Sequence, residues 1–126
     1  MPASPASQTP REQLAGHLAP LLPKTWKLVP YSRNLDRLES TTVMLHATEI
    51  RRGIALGALE VDFTISVSSP KSDPTSAQTD LDDDVLALVH KVASTSWLLF
   101  RNATPTVVQD FLSWDLTVTV ITREDA

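Results

Sequence analysis

A chain of 126 residues is most simply one domain, long enough to bury about two-thirds of its unfolded surface without covalent staples. It contains no cysteine, which excludes a disulfide framework, a thiolate zinc site and a cysteine nucleophile together. The 15 acids and 11 bases leave a net charge of −4, which argues against a sequence-independent grip on nucleic acid, and 3 glycines build no Gly-rich phosphate cradle.

No apolar run reaches the ~18 residues of a membrane span, and the N-terminal stretch lacks the charged-then-apolar layout of a signal peptide, so a soluble protein of the cytoplasm, or of a particle assembled there, is expected. Residues 1–8 are small, polar and Pro-containing and are expected to form a disordered tail, leaving one domain over 9–126. A helix is predicted from Thr9 as N-cap, with Pro10 at the first helical position and Glu12 able to bond back to the cap. Leu14, Leu18 and Leu21 or Leu22 follow at helical spacing until Pro20 and Pro23 end or kink it.

A short strand over 25–29 puts Trp26 and Leu28 on one face, and 31–40 reads as a loop with room for one helical turn around Leu35 to Leu38. Over 41–52 the composition is β-rich and two-sided, with Val43, Leu45 and Ala47 on one face and Met44, His46, Thr48 and Ile50 on the other. Such a strand is central or lies against another subunit. The glycines of 53–57 then predict an antiparallel hairpin with the clearest element of the chain, 59–67, where Leu59, Val61, Phe63, Ile65 and Val67 alternate with Glu60, Asp62, Thr64 and Ser66.

The stretch 68–79 carries two prolines and no large apolar residue and is expected to be an exposed, mobile loop. Thr79 or Asp80 is then the cap of a second helix running to about Trp97, with a stripe of Leu81, Val85, Leu88 and Val92 widened by Val89 and Ala93. A turn over 98–104, a short edge strand at 105–109 and a closing strand at 113–121, with Trp114, Leu116, Val118 and Val120 on one face, complete the chain. The fold class expected is α+β: a mainly antiparallel or mixed sheet of four to five strands with two helices packed on one face.

Chemical candidates are few. Asp80, Asp82, Asp83 and Asp84 form the densest charged cluster; placed in a first helical turn they complement the helix dipole, and they lack EF-hand spacing. His17, His46 and His90 stand singly without metal-ligand spacing, no serine lies in a nucleophile motif, and the three tryptophans sit in or beside apolar faces. Neither a catalytic residue nor a metal or cofactor site is expected. The basic pair Arg51-Arg52 reads as a solvated strand end or an ion-pair contact between subunits.

In their order and spacing these segments resemble the tail terminator proteins of long-tailed, siphophage-type bacteriophages, especially those infecting actinobacteria. The carriers are the first helix ending in Leu21-Leu22-Pro23 before the Trp26 strand and the Leu35-Asp36-Arg37-Leu38 stretch before 43–52. After them come the alternating strand 59–67, the Pro/Ser/Asp loop, the helix opening Asp80-Leu81-Asp82 and the strand 114–121, so that the resemblance covers about residues 10–122. It implies a non-enzymatic virion protein in the phage tail, assembled in the host bacterial cytoplasm. Such a protein forms a homo-hexameric ring that caps the tail tube and meets the tail tube protein on one side and the head-tail connector or stopper on the other. DNA passes through the ring without sequence-specific binding. Arg51, Arg52, Lys71 and Asp73 are the corresponding assembly-interface candidates. Another head-tail connector or tube ring protein, and a small α+β-barrel enzyme or ligand-binding dimer, are the alternatives.

Overall fold

The structure, a computed structural model, describes residues 9–31, 39–54, 57–70, 74–108 and 111–123. Two helices, α1 (Pro10–Leu18) and α2 (Pro74–Ala93), cover one face of a five-stranded sheet built from β1 (Lys27–Val29), β2 (Thr42–Arg52), β3 (Ala58–Ser68), β4 (Leu98–Val108) and β5 (Phe111–Arg123). The strand order is β1-β2-β3-β5-β4, parallel between β1 and β2 and antiparallel elsewhere, so the expected α+β class holds with β3 at the centre.

The start of α1 follows from its first four residues. The Thr9 side chain accepts from the Glu12 backbone N–H at 3.1 Å while the Glu12 carboxylate accepts from the Thr9 backbone N–H at 3.2 Å, and Pro10 enters the first turn where its missing donor costs nothing. Pro20 cannot continue the ladder, so the chain tightens into a single 3-10 turn, Ala19–Leu21. Leu14 and Leu18 are fully buried. Arg11 ties the helix to the sheet: its guanidinium donates to the Pro30 and Leu45 carbonyls, both at 2.9 Å, and lies 5.5 Å from the centre of the Phe63 ring.

On the helix side, β3 presents Val61, Phe63, Ile65 and Val67, opposite Val120, Val118, Leu116 and Trp114 of β5. Leu81, Val85, Leu88 and Val92 of α2 close over this surface, and each of them is at most 4 % exposed. Val89 packs half-buried beside the stripe, whereas Ala93 is exposed.

Several expectations need correction. No mobile loop spans 68–79: Ser68 ends β3, Ser68 and Ser69 are buried, and α2 already begins at Pro74, with 71–73 outside the described residues. Proline, serine and threonine are loop formers, but they are also the residues that open helices, and Pro74 at the first helical position has its φ preset. The helix stops at Ala93 rather than near Trp97, where the Ser94 and Thr95 hydroxyls donate to the Lys91 carbonyl at 2.8 and 3.2 Å.

The expected turn over 98–104 and short strand at 105–109 are one strand of 11 residues, β4. A register shift between Phe100 and Asn102 leaves Arg101 as an extra residue and breaks the alternation, and Pro105 is tolerated because β4 lies at the sheet edge. A second shift, between Ala47 and Glu49, inserts Thr48 and carries Ile50 to the helix-side face opposite Val61, away from the face of Met44 where simple alternation placed it. Leu59, at the mouth of the hairpin, is 47 % exposed and outside the core. The tail 1–8 and the helical turn around Leu35 to Leu38 lie outside the described residues.

Candidate functional site

The sheet face turned away from the helices is polar. Period two puts Glu60, Asp62, Thr64, Ser66 and Ser68 of β3 on it, and the pairing register brings Thr119, Thr117, Asp115 and Ser113 of β5 opposite the last four. Ser66 donates to Asp115 at 2.9 Å, and Ser68 and Ser113 share a hydrogen bond at 2.6 Å, both between residues directly opposite each other. At the same end Val29 and Met44 are buried with Phe111 packed against them.

Toward the β2–β3 hairpin this face carries a charge network. Arg51 faces Glu60 across the ladder, lies two residues from Glu49 on its own strand, and reaches Asp62 diagonally. Its guanidinium is 3.2 Å from Glu49 and 2.9 Å from Glu60, with a further short contact to Asp62. The Thr119 hydroxyl donates to the second Asp62 oxygen at 2.6 Å, and Arg101 of β4 donates to Thr119 at 3.2 Å, so four strands are tied together.

Partial burial pushes the Asp62 carboxyl up, but hydrogen bonds from Arg51 and Thr119 and the charges of Arg51 and Arg101 outweigh it and hold its pKa below the ordinary carboxylate value. The Arg51 pKa is raised, chiefly by the hydrogen bond to Asp62, against a lowering by desolvation and with further support from Glu49 and Glu60. Each of the acids Glu49, Glu60 and Asp62 is engaged by the Arg51 guanidinium, so the network clamps the β2–β3 ladder on its polar face.

The histidines do not converge. His17 is held by Thr95, at 3.0 Å from its Nε2, and by the edge of Trp97 at 5.1 Å; His46 lies opposite Thr64 on the polar face; His90 is exposed on α2. The dipole reading of the acidic cluster fails, because a helix that begins at Pro74 puts Asp80 to Asp84 in its second and third turns and leaves its first turn without acids. Asp82, Asp83 and Asp84 are exposed, and no group of metal-ligating side chains is found among the described residues.

Two surfaces stand out instead. Toward the end of the β2–β3 ladder Ile50, Leu59 and Ile54 are 67, 47 and 102 % exposed, with exposed Arg52 opposite Leu59 and without an ion pair among the described residues. The second is an open groove of about 310 Å³ lined by the turn at Pro20 to Pro23 and by Asp84, Ala87, Leu88 and Lys91 of α2. Of the four interface candidates, Arg51 is engaged by acids of its own chain and Arg52 is exposed, while Lys71 and Asp73 lie outside the described residues. The Arg51 network escaped the sequence reading, although its signal was there: Glu49 and Arg51 on one strand and Glu60 and Asp62 on the next alternate in phase across a hairpin. No helix among the described residues is long and apolar enough to cross a membrane. No protein-family model matches the chain and no curated protein is similar to it in sequence, so these surfaces themselves are the guide to function.

Proposed function

We propose that the chain is a structural ring subunit of a long-tailed bacteriophage, a tail terminator that caps the tail tube and joins it to the head connector, with DNA passing through the ring. The observation that carries this reading is the exposed aliphatic end of the β2–β3 ladder. A fold whose helix-side core is sealed to a few per cent exposure nonetheless presents three exposed aliphatic side chains, Ile50, Ile54 and Leu59, at the hairpin end. Three such side chains close together in sequence and register, where Tyr31, Leu86, Leu99 and Val107 are exposed elsewhere, support a contact with another protein at this corner.

Supporting it, the segments that carry the sequence resemblance form α1, β1, the β2–β3 hairpin, α2 and β5 in that order along the chain. The acid-held Arg51 and the net charge of −4 fit a wall that lets DNA slide by, since grip on the phosphate backbone scales with the cations free to neutralise it. Against the small-molecule alternative, the space between α2 and the sheet is filled by Leu81, Val85, Leu88, Val92, Val61 and Phe63.

Native mass spectrometry of the purified protein over a range of concentrations, alone and with tail tube protein, tests the proposal. A closed hexamer is expected. A species that stays monomeric under both conditions, or a twofold dimer that takes up a small ligand, overturns it.

A further inference from the structure

We infer that Arg11 is a side-chain rung that holds the β1–β2 ladder one step short, so that the docking of α1 decides how far β1 runs along β2. The helix is a strap with two settings: seated, it ends β1 at Val29; released, it lets the Tyr31 N–H take the next rung.

The rungs can be counted from the register. Lys27 lies opposite Thr42, and its N–H donates to the Thr41 carbonyl at 2.9 Å. In a parallel ladder every second residue turns its N–H and C=O to the neighbour, so Val29 is the next donor, to the Val43 carbonyl, and Tyr31 the one after, aimed at the Leu45 carbonyl. Pro30 does not forbid that step, because its missing N–H falls on the side turned away from β2. Yet β1 ends at Val29 and Tyr31 lies in a bend. The Leu45 carbonyl is taken instead by the Arg11 guanidinium at 2.9 Å, through the same nitrogen that binds the Pro30 carbonyl.

Leu45 is fully buried, and a buried backbone carbonyl without a donor is costly. Loss of the Arg11 donor is therefore met by the nearest N–H able to replace it, that of Tyr31, and one rung is exchanged for another. The strap is marginal by itself: α1 has 9 residues, fewer than the ~12–15 at which an isolated helix holds in water, so its seating depends on its attachments. These are the buried Leu14 and Leu18, Arg11 at one end, and at the other the His17 Nε2, 3.0 Å from the Thr95 hydroxyl. What the strap controls is an open edge. Beyond Met44 no strand among the described residues pairs with the outer side of β2, and each rung gained by β1 shortens the stretch left free for another strand.

Arg11→Met keeps the apolar stem and removes the donor. It is compared with wild type by the through-hydrogen-bond NMR coupling between the Tyr31 amide nitrogen and the Leu45 carbonyl carbon, in trimethylamine N-oxide so that a destabilised variant stays folded. The coupling should be absent from wild type and present in the variant. A folded variant without it, or a wild type that already shows it, overturns the rung. Amide exchange reads the strap: in Arg11→Met the amides of Leu14 to Leu18 should exchange at least about tenfold faster than in wild type while those of Val61 to Val67 change less. A rise by the same factor in both marks one cooperative unit and overturns the strap. Tyr31→Pro removes the replacement donor, so the urea midpoint of Arg11→Met/Tyr31→Pro should fall by more than the two single falls together; additive falls overturn the exchange of donors.

Discussion

Phe63 is the residue whose truncation tests the packing most directly. It sits 2 % exposed on the central strand, between Val118 of β5 and the small Ala47 of β2, whose size leaves room for the ring. Phe63→Ala removes a buried ring from a site walled by two strands and by the Arg11 guanidinium, none of which can collapse without breaking ladder pairs or the Arg11 bonds to Pro30 and Leu45. A cost of about 3–5 kcal/mol follows. Set against a total stability of roughly 5–15 kcal/mol, this is a large fraction. With a urea slope of about 2 kcal/mol/M, the unfolding midpoint should fall by roughly 1.5–2.5 M, read by far-UV circular dichroism and by tryptophan fluorescence. Phe63→Leu should cost markedly less, and in a double-mutant cycle with Arg11→Met should show a coupling of about 0.5–1 kcal/mol from the lost cation–ring contact. A midpoint shift under about 0.5 M for Phe63→Ala, with unchanged slope, would refute the placement of Phe63 at the centre of the helix–sheet layer.

The Asp62 carboxyl, with its pKa held down in the folded state, contributes stability that is present above the unfolded value of about 3.9 and lost as pH falls through the lower folded value. Asp62→Asn should therefore lower the melting temperature at pH 7, and the gap from wild type should close as the pH is taken from about 4 toward 2; a gap independent of pH contradicts the network. Asp82→Asn/Asp83→Asn, on an exposed helix face away from the first turn, should change stability by no more than about 0.5 kcal/mol, and calcium or magnesium should leave the melting temperature of wild type unmoved. A metal-dependent rise of several degrees would point to a site in that cluster.

How legible each element was depended on whether its pattern ran without interruption. The strand 59–67 keeps period two throughout, so its register and buried face could be read directly, and the Thr9-Pro10-Glu12 cap carries its hydrogen bonds in its residue types. In β2 and β4 one inserted residue each, Thr48 and Arg101, inverts the alternation, so Ile50 was assigned to the wrong face and β4 was split in two. At α2 the composition of 74–79 favours loop and helix start alike, and packing of the stripe from Leu81 onward decides between them by extending an already stable helix. The three-residue β1 is too short for any periodicity to announce its parallel pairing. The charge network depends on which strand lies beside which, a tertiary fact, and the groove beside α2 on how that helix settles against the Pro20–Pro23 turn.

The central position of β3 also sets a schedule for synthesis. Its partner on one side, β2, has already been made when β3 emerges, and a hairpin of this kind closes in microseconds. Its partner on the other side is β5, whose nearest pairing, Ser113 with Ser68, lies 45 residues downstream. At roughly 5–20 residues per second, a ribosome leaves that second edge of β3 unpaired for about 2–9 s. Throughout that interval Val61, Phe63, Ile65 and Val67 stand on an open ladder without the stripe of α2 fully in place. The nascent chain is then most exposed to mispairing with another copy of itself, and it is at this stage that a holding chaperone would have the most to bind.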